Sequence, residues 1–301
     1  MPQIQHGHHD VGLYGYIPTQ WVCITFIVLF GLSTTLHIGQ AVRNRLWFMF
    51  PTAVLAGIGE VIGWSGRLWS SHDPGGLNPY LMQICTTIIS PTPLVAANFV
   101  ILGIMIKIYG PQYSRLSPNQ YNIIFCSADL VALIVQAVGG ASAAQATETG
   151  RDPTKGGHIM LAGIVIQLVS IIIYVVLAAE FLFRLLKKLP ILRKTNGMEN
   201  MKTSQLDRNG NLMLLGLSLS TLCIFIRAVY RTAELSNGWT GRIIRTQVLF
   251  NVLDGGMITI AIFTINFLHP GMLLPQRPIR DSQVEGGKSS EHPSTPDLSK
   301  E

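Results

Sequence analysis

Two stretches of the sequence set opposite charges at helical spacing inside otherwise apolar runs. Glu60 and Arg67 are seven residues apart, so a helix carries both on one face. Arg227, Arg231 and Glu234 stand at i, i+4 and i+7, again on one face, with Tyr230 beside them. A third run contains Asp254, with Asn251 about one turn before it; a fourth contains Asp129 and, seven residues on, Gln136; Gln167 lies in a fifth. Guanidinium and carboxylate groups in such a setting can neutralise the charged headgroup of a ligand, or they can lock helices to one another. For Asp129, a proton-exchanging site and a satisfied core acid both stay open.

The elements that position these groups follow from the scarcity of charge elsewhere. Only 13% of the 301 residues are charged, against roughly 25% in a soluble domain. About 20 uncharged apolar residues suffice for a helix to cross some 30 Å of hydrocarbon. In lipid the backbone must satisfy its own hydrogen bonds, which leaves helices or a closed barrel, and period-2 alternation is absent. Seven spans are predicted, at 17–39, 47–69, 80–107, 121–144, 158–182, 211–235 and 247–268. The fold class is therefore an all-α membrane protein, a bundle of seven transmembrane helices. Residues 1–16 form an N-terminal tail, 17–269 the membrane domain, and 270–301 a polar tail rich in Pro, Ser and Gly that is expected to be disordered. Residues 1–16 lack Lys and Arg and the first apolar run is too long for a signal-peptide core, so no cleavable signal is expected.

Basic residues set the orientation. Fifteen of the twenty-two fall in the tail and loops of one side, including Arg43, Arg45, Lys107, Arg115 and the strongly basic segment 183–210; four, Arg151, Lys155, Arg242 and Arg245, fall on the other. The positive-inside rule then puts the N-terminus outside and the C-terminus in the cytosol. Six charges, Glu60, Arg67, Arg227, Arg231, Glu234 and Asp254, lie within spans, at roughly 2.5–3.5 kcal/mol each if they faced lipid at the bilayer centre. They must face the bundle interior. Spans two and six run parallel and hold opposite charges at equal spacing in reversed order. Glu60 is thus expected to pair with Arg227, and Arg67 with Glu234, leaving Arg231 for Asp254 or a ligand headgroup. The cluster would either only join helices or line a polar pocket toward the outer leaflet.

Other features receive plainer readings. Pro91 and Pro93 remove backbone donors and predict a kink in span three. Gly139, Gly140, Ala143 and Ala144 predict close helix packing in span four. Tyr14, Tyr16, Trp21, Trp47, Trp64, Trp69, Tyr80, Tyr121 and Trp239 are expected as interfacial anchors. The four cysteines sit in apolar runs as small hydrophobes. There is no P-loop, no H-E-x-x-H pair, no G-x-S-x-G elbow and no N-x-[ST] sequon. Span seven has no Lys for a retinal Schiff base. No metal, cofactor or nucleic-acid partner is expected; His6, His8 and His9 are at most a weak external metal site.

The same residues resemble a known family, the fungal lipid-translocating exporters or RTA-like proteins, named for resistance to aminocholesterol. The likeness rests on Glu60-Val-Ile-Gly-Trp-Ser-Gly-Arg67, on Pro79 through Gln83 to Pro93 and Ala96-Ala97, and on Asp129, Gln136, Gly139 and Gly140. Its most specific block is Arg227-Ala-Val-Tyr-Arg-Thr-Ala-Glu234, and Asp254 with His269-Pro-Gly271 closes it. Gln247 and Asn251 stand where the family often has an acid and a tyrosine. The resemblance implies a seven-span plasma-membrane protein associated with movement of membrane lipids, sphingoid bases among them, and with resistance to toxic amphiphiles; without a P-loop it is expected to act without its own ATPase. It implies no catalytic residues. Binding or translocation would rest on Glu60, Arg67, Asp129, Gln136, Arg227, Tyr230, Arg231, Glu234 and Asp254. The alternative is a seven-helix receptor or regulator of lipid homeostasis, with cytosolic partners at loop 183–210 and the C-terminal tail.

Overall fold

The computed structural model describes residues 14–191, 206–237 and 242–274. Among these there are helices and no strands. Seven helical segments are long and apolar enough to cross a membrane: Gln20–Asn44, Trp47–His72, Leu77–Tyr109, Pro118–Glu148, Thr154–Lys187, Arg208–Ser236 and Gln247–Leu273. They are called spans one to seven below. Most run a turn past the predicted bounds, because a helix continues into water where hydropathy no longer marks it. Span five, for example, carries Arg184 and Lys187 in its last turn, where cations complement the helix dipole.

Side-chain caps fix the starts of spans four and six. Ser117 and Gln120 form a reciprocal capping box before Pro118 at the start of span four. Asp207 accepts from the Gly210 amide at 2.8 Å and from the Tyr109 hydroxyl at 2.9 Å, fastening span six to the end of span three. Both Asp207 partners hold its carboxyl below the usual range, the Gly210 amide most of all.

Neighbours in sequence are neighbours in space, and span seven returns to span one, so the helices close a ring. Span three is the exception. It also packs on span six, and 72% of its most apolar stretch is buried, against 28–50% for the other spans. It is the axis of the bundle. Spans four and five make the tightest pair, and Gly139 is the reason: a Cβ there would lie 2.3 Å from the Met160 backbone nitrogen. The predicted small-residue packing of span four is what brings these two backbones together.

Three departures from regular α-helix matter for the site. Span three breaks at Ser90, between helices Leu77–Ile89 and Pro91–Tyr109, where the proline pair predicts a kink. Span two contains a π segment, Phe50–Val54, after a first 3-10 turn, and span seven contains another, Asn251–Gly256, which holds Asp254. Such segments recur at functional sites.

The interfacial reading of the aromatics divides. Trp21, Trp47 and Trp69 are exposed on the outer surface of the bundle. Trp64, Tyr14, Tyr80 and Tyr121 are instead buried. Trp64 stacks on Phe26 at 4.1 Å and lies over Gly255, where a Cβ would meet it at 2.4 Å; the bare glycine makes room for the indole inside the ring. Trp239 lies outside the described residues, as do half of the basic loop and the tail beyond residue 274.

Candidate functional site

Span three's break creates the first half of the site. Pro91 has no N–H to give the Thr87 carbonyl one turn before it. That carbonyl turns to another donor, the Arg227 guanidinium of span six. The Thr87 hydroxyl accepts from Arg231 at 2.9 Å and from the Gln83 amide at 3.3 Å. Ser90, at the break itself, donates to Glu60 Oε1 at 2.5 Å. One interrupted turn thus reaches acidic and basic groups on both of its flanks.

Asp254 supplies the second half. Its carboxylate takes a bidentate pair from Arg231, Nε at 2.7 Å and Nη2 at 2.9 Å, and its Oδ1 is also 2.8 Å from Arg227 Nε. Arg231 gives its remaining nitrogen to Glu234 Oε2 at 2.7 Å, and Tyr230 donates to Glu234 Oε1 at 3.0 Å. Tyr230, Arg231, Glu234 and Asp254 are therefore one hydrogen-bonded network, which Arg227 joins through its ion pair with Asp254, and each member is buried. The Phe250 ring covers it, 5.0 Å from the Arg231 guanidinium.

Of the expected pairings, Arg231 with Asp254 forms and the other two do not. Glu60 meets Ser90 in place of Arg227, because axial span three lies between spans two and six. Glu60 Oε2 is buried without a hydrogen-bond partner. Arg67 lies among aromatic rings: its guanidinium is 4.3 Å from the Phe250 centroid, 5.1 Å from Tyr14, 5.5 Å from Tyr16 and 5.8 Å from Trp64. It donates to the Tyr16 hydroxyl at 2.6 Å. Cation–π contact of this kind strengthens as water is excluded. The chain entering span one thus closes over the cluster, with Tyr14 against Tyr80 at 4.8 Å and its hydroxyl 3.3 Å from Ser70 Oγ. Burial pushes the Tyr14 phenol up to about 12, against the pull of Arg67, so it stays a neutral hydroxyl at physiological pH.

Gln136 and Asp129 stand apart from this network. Gln136 donates to Gln167 at 3.1 Å, and Gln167 to Thr92 at 3.0 Å, an amide chain from span four to the turn just past the break. Asp129 is buried toward Ser170, and neither of its carboxylate oxygens has a hydrogen-bond partner. Gln247 accepts from Thr19 at 3.2 Å, while Asn251 Oδ1 has no partner. Among the described residues no group of three His, Cys, Asp or Glu is placed to hold a metal.

Sequence reasoning missed Thr87, Ser90, Phe250 and the Tyr14–Tyr16 segment. Pro91 is a signal for Thr87, since the residue four before a proline has a free carbonyl. Beside the cluster, among the described residues, the voids are each about 10 Å³, about the least that admits a water molecule. What the arrangement can do is hold both signs of charge in a closely packed interior, next to a helix break.

The family model described as RTA1 like protein matches residues 53–277. The chain is 31% identical to the sphingoid long-chain base transporter RSB1 of Saccharomyces cerevisiae (strain JAY291), over 98% of this chain and 80% of that protein. It is 26% identical to Protein RTA1 of S. cerevisiae (strain S288c), over 85% of this chain and 84% of the relative. A lipid-translocating exporter-like protein RTA1 of Leptosphaeria maculans is 26% identical, over 87% of this chain and 52% of its own length. No solved structure matches.

Proposed function

Because the chain belongs to the RTA1-like protein family, we propose that it translocates or exports lipids and toxic amphiphiles of the sphingoid-base or phospholipid class across a fungal plasma membrane. The observation that carries this reading is the buried network centred on Asp254. Two arginines and two acids sit at a helix break in the membrane interior, each desolvated at a cost that simple helix packing does not require. A polar headgroup crossing the bilayer needs such groups, since hydrocarbon offers it none. The name of the sphingoid long-chain base transporter supports the substrate class. In this reading Glu60, Arg67, Arg227, Tyr230, Arg231, Glu234 and Asp254 act on the headgroup, and Gln136 and Asp129 act on the same path from span four. The sequence has no P-loop, so the driving force is the substrate gradient or a coupled ion, and the protein acts as a translocator in place of an enzyme. The N-terminus faces outward, and loop 183–210 and the tail face cytosolic partners.

Purified protein in liposomes tests this directly. A fluorescent sphingoid base or phospholipid should change leaflets faster than in empty liposomes, and Arg231→Gln and Asp254→Asn should lose most of that flux. A receptor with the same topology gives no flux. Empty-liposome rates from the wild-type protein, or full rates from both variants at equal incorporation, overturn the reading.

A further inference from the structure

A second site lies away from the charge network. A groove of about 440 Å³ runs between spans five and six, with Leu102 of span three at its back. Its lining is apolar except for Tyr174, Ser218 and Thr221. On span six it extends from Leu214 to Phe225, roughly 16 Å along the helix. Its mouth opens sideways, toward lipid: Val176 is 60% exposed and Leu222 53%, and Ser218 is exposed between them. It occupies the half of the bundle nearer Lys187 and Arg208, opposite to the half that holds the charge network.

The groove adjoins that network through shared walls. Tyr174 and Thr221 also line a water-sized void against Val95, Asn98, Ile171 and Ile224. Val95, Ile171 and Ile224 in turn line the void that reaches Pro91, Gln167, Arg227 and Arg231. Shared walls set the three end to end, as a seam of close-set voids. It begins apolar, passes the Thr221 hydroxyl and the Asn98 amide, and ends at charge. From Thr221 to Arg227 is about 9 Å along the helix.

We propose that this groove is the hydrocarbon-chain site for one long-chain amine, which lies with its chain against Leu214, Ser218 and Leu222 and its amino-alcohol head up the seam toward Arg227 and Asp254. Size and charge select that occupant. One saturated chain of about 16–18 carbons fills roughly 450 Å³ at interior packing density, so the groove holds one chain and not two. Arg227 and Arg231 reach the void at the end of the seam, and Glu60, which meets Ser90 at the break, has a buried carboxylate oxygen without a hydrogen-bond partner. That oxygen is the acceptor left for an ammonium. The hydroxyls of the head meet Thr221 and Asn98. This site rests on the translocation reading for its ligand class, and its test is a binding measurement, so the two can fail separately.

The test uses the full chain in phosphatidylcholine nanodiscs with a sphingoid base carrying a diazirine in its chain and a terminal alkyne. After photolysis, labelled peptides are mapped by mass spectrometry. Label should fall on 172–182 and 214–225, and unlabelled sphingoid base should reduce it about tenfold while added diacyl phosphatidylcholine does not, an affinity gap of that size being easily resolved. Ser218→Trp, which fills the mouth from the lipid side, should reduce the groove label about tenfold and raise the substrate concentration for half-maximal flux. Val28→Trp, on the exposed face of span one, should do neither. Label on other spans, or label that phosphatidylcholine competes equally, overturns the site and assigns the groove to bulk lipid. Groove label without flux retains the site and removes the transport reading; flux with label elsewhere does the reverse. The wild-type map decides the matter even if Ser218→Trp fails to fold.

Discussion

Replacing Asp254 with asparagine tests the network where it is most connected. The substitution keeps shape and one acceptor oxygen but removes the charge that two guanidiniums share. Arg231 keeps Glu234 and the Thr87 hydroxyl; Arg227 keeps only the Thr87 carbonyl. Arg227 is therefore the group left with an uncompensated buried charge. Removing one partner of a buried ion pair costs about 3–5 kcal/mol. Since Asn still accepts one hydrogen bond, the lower end is expected. Glu60→Gln is the internal control: it is equally buried, but Glu60's partner is a hydroxyl that an amide oxygen also satisfies, so its effect should stay below about 1 kcal/mol. Each kcal/mol moves the midpoint about 2–4 °C for a chain of 150–250 residues, giving a drop of roughly 6–12 °C for Asp254→Asn. The assay is thermal unfolding in a fixed detergent, followed by tryptophan emission. Adding Arg227→Met to Asp254→Asn should recover about 1–3 kcal/mol, the coupling expected of contacting groups. Equal losses from Asp254→Asn and Glu60→Gln, or no recovery in the double variant, would refute the assignment of Asp254 as the shared partner.

Three further outcomes follow from the geometry. Tyr16→Phe removes the 2.6 Å hydrogen bond from Arg67 while keeping the ring, and should cost about 1.5–3 kcal/mol, more than Tyr14→Phe, whose contact to Ser70 is 3.3 Å and neutral; the same unfolding assay ranks them. Gly139→Ala should separate spans four and five and lower the midpoint by several degrees, while Gly31→Ala, with nothing within 4 Å of the new methyl, should be neutral or slightly stabilising. Asp207→Ala should cost about 1 kcal/mol at pH 6. The folded carboxyl titrates below its unfolded value of about 3.9, so the stabilisation is complete above that value and is lost as pH falls through the folded one. Wild type and variant should therefore differ by a constant amount between pH 5 and 8 and approach one another as pH falls below the unfolded value.

The seven spans were legible because length and apolarity suffice to specify a membrane crossing, and the site residues because charge inside such a run is rare. Which charges meet was not legible. Spacing along spans two and six says what shares a face, but the pairing depended on span three lying between them, and nothing local to Glu60 or Arg227 declares that. Trp64 illustrates the same limit: near a span end it reads as an anchor, and only Gly255, 191 positions on, has the space that takes it inside. Pro91 did announce an interruption, though not that the carbonyl it frees belongs to Arg227. The groove between spans five and six carries no sequence signal, since Leu, Ala and Val line grooves and ridges alike.

The break in span three has an evolutionary corollary. A hydrogen bond ordinarily constrains the two residues that make it, but here Thr87 contributes only backbone, so its side chain records nothing of the contact. The information sits at Pro91, whose ring withholds the competing proton, and at Arg227, 140 residues beyond Thr87 in the chain. Substitutions at positions 91 and 227 should therefore be inherited together across relatives, although the two residues need not touch.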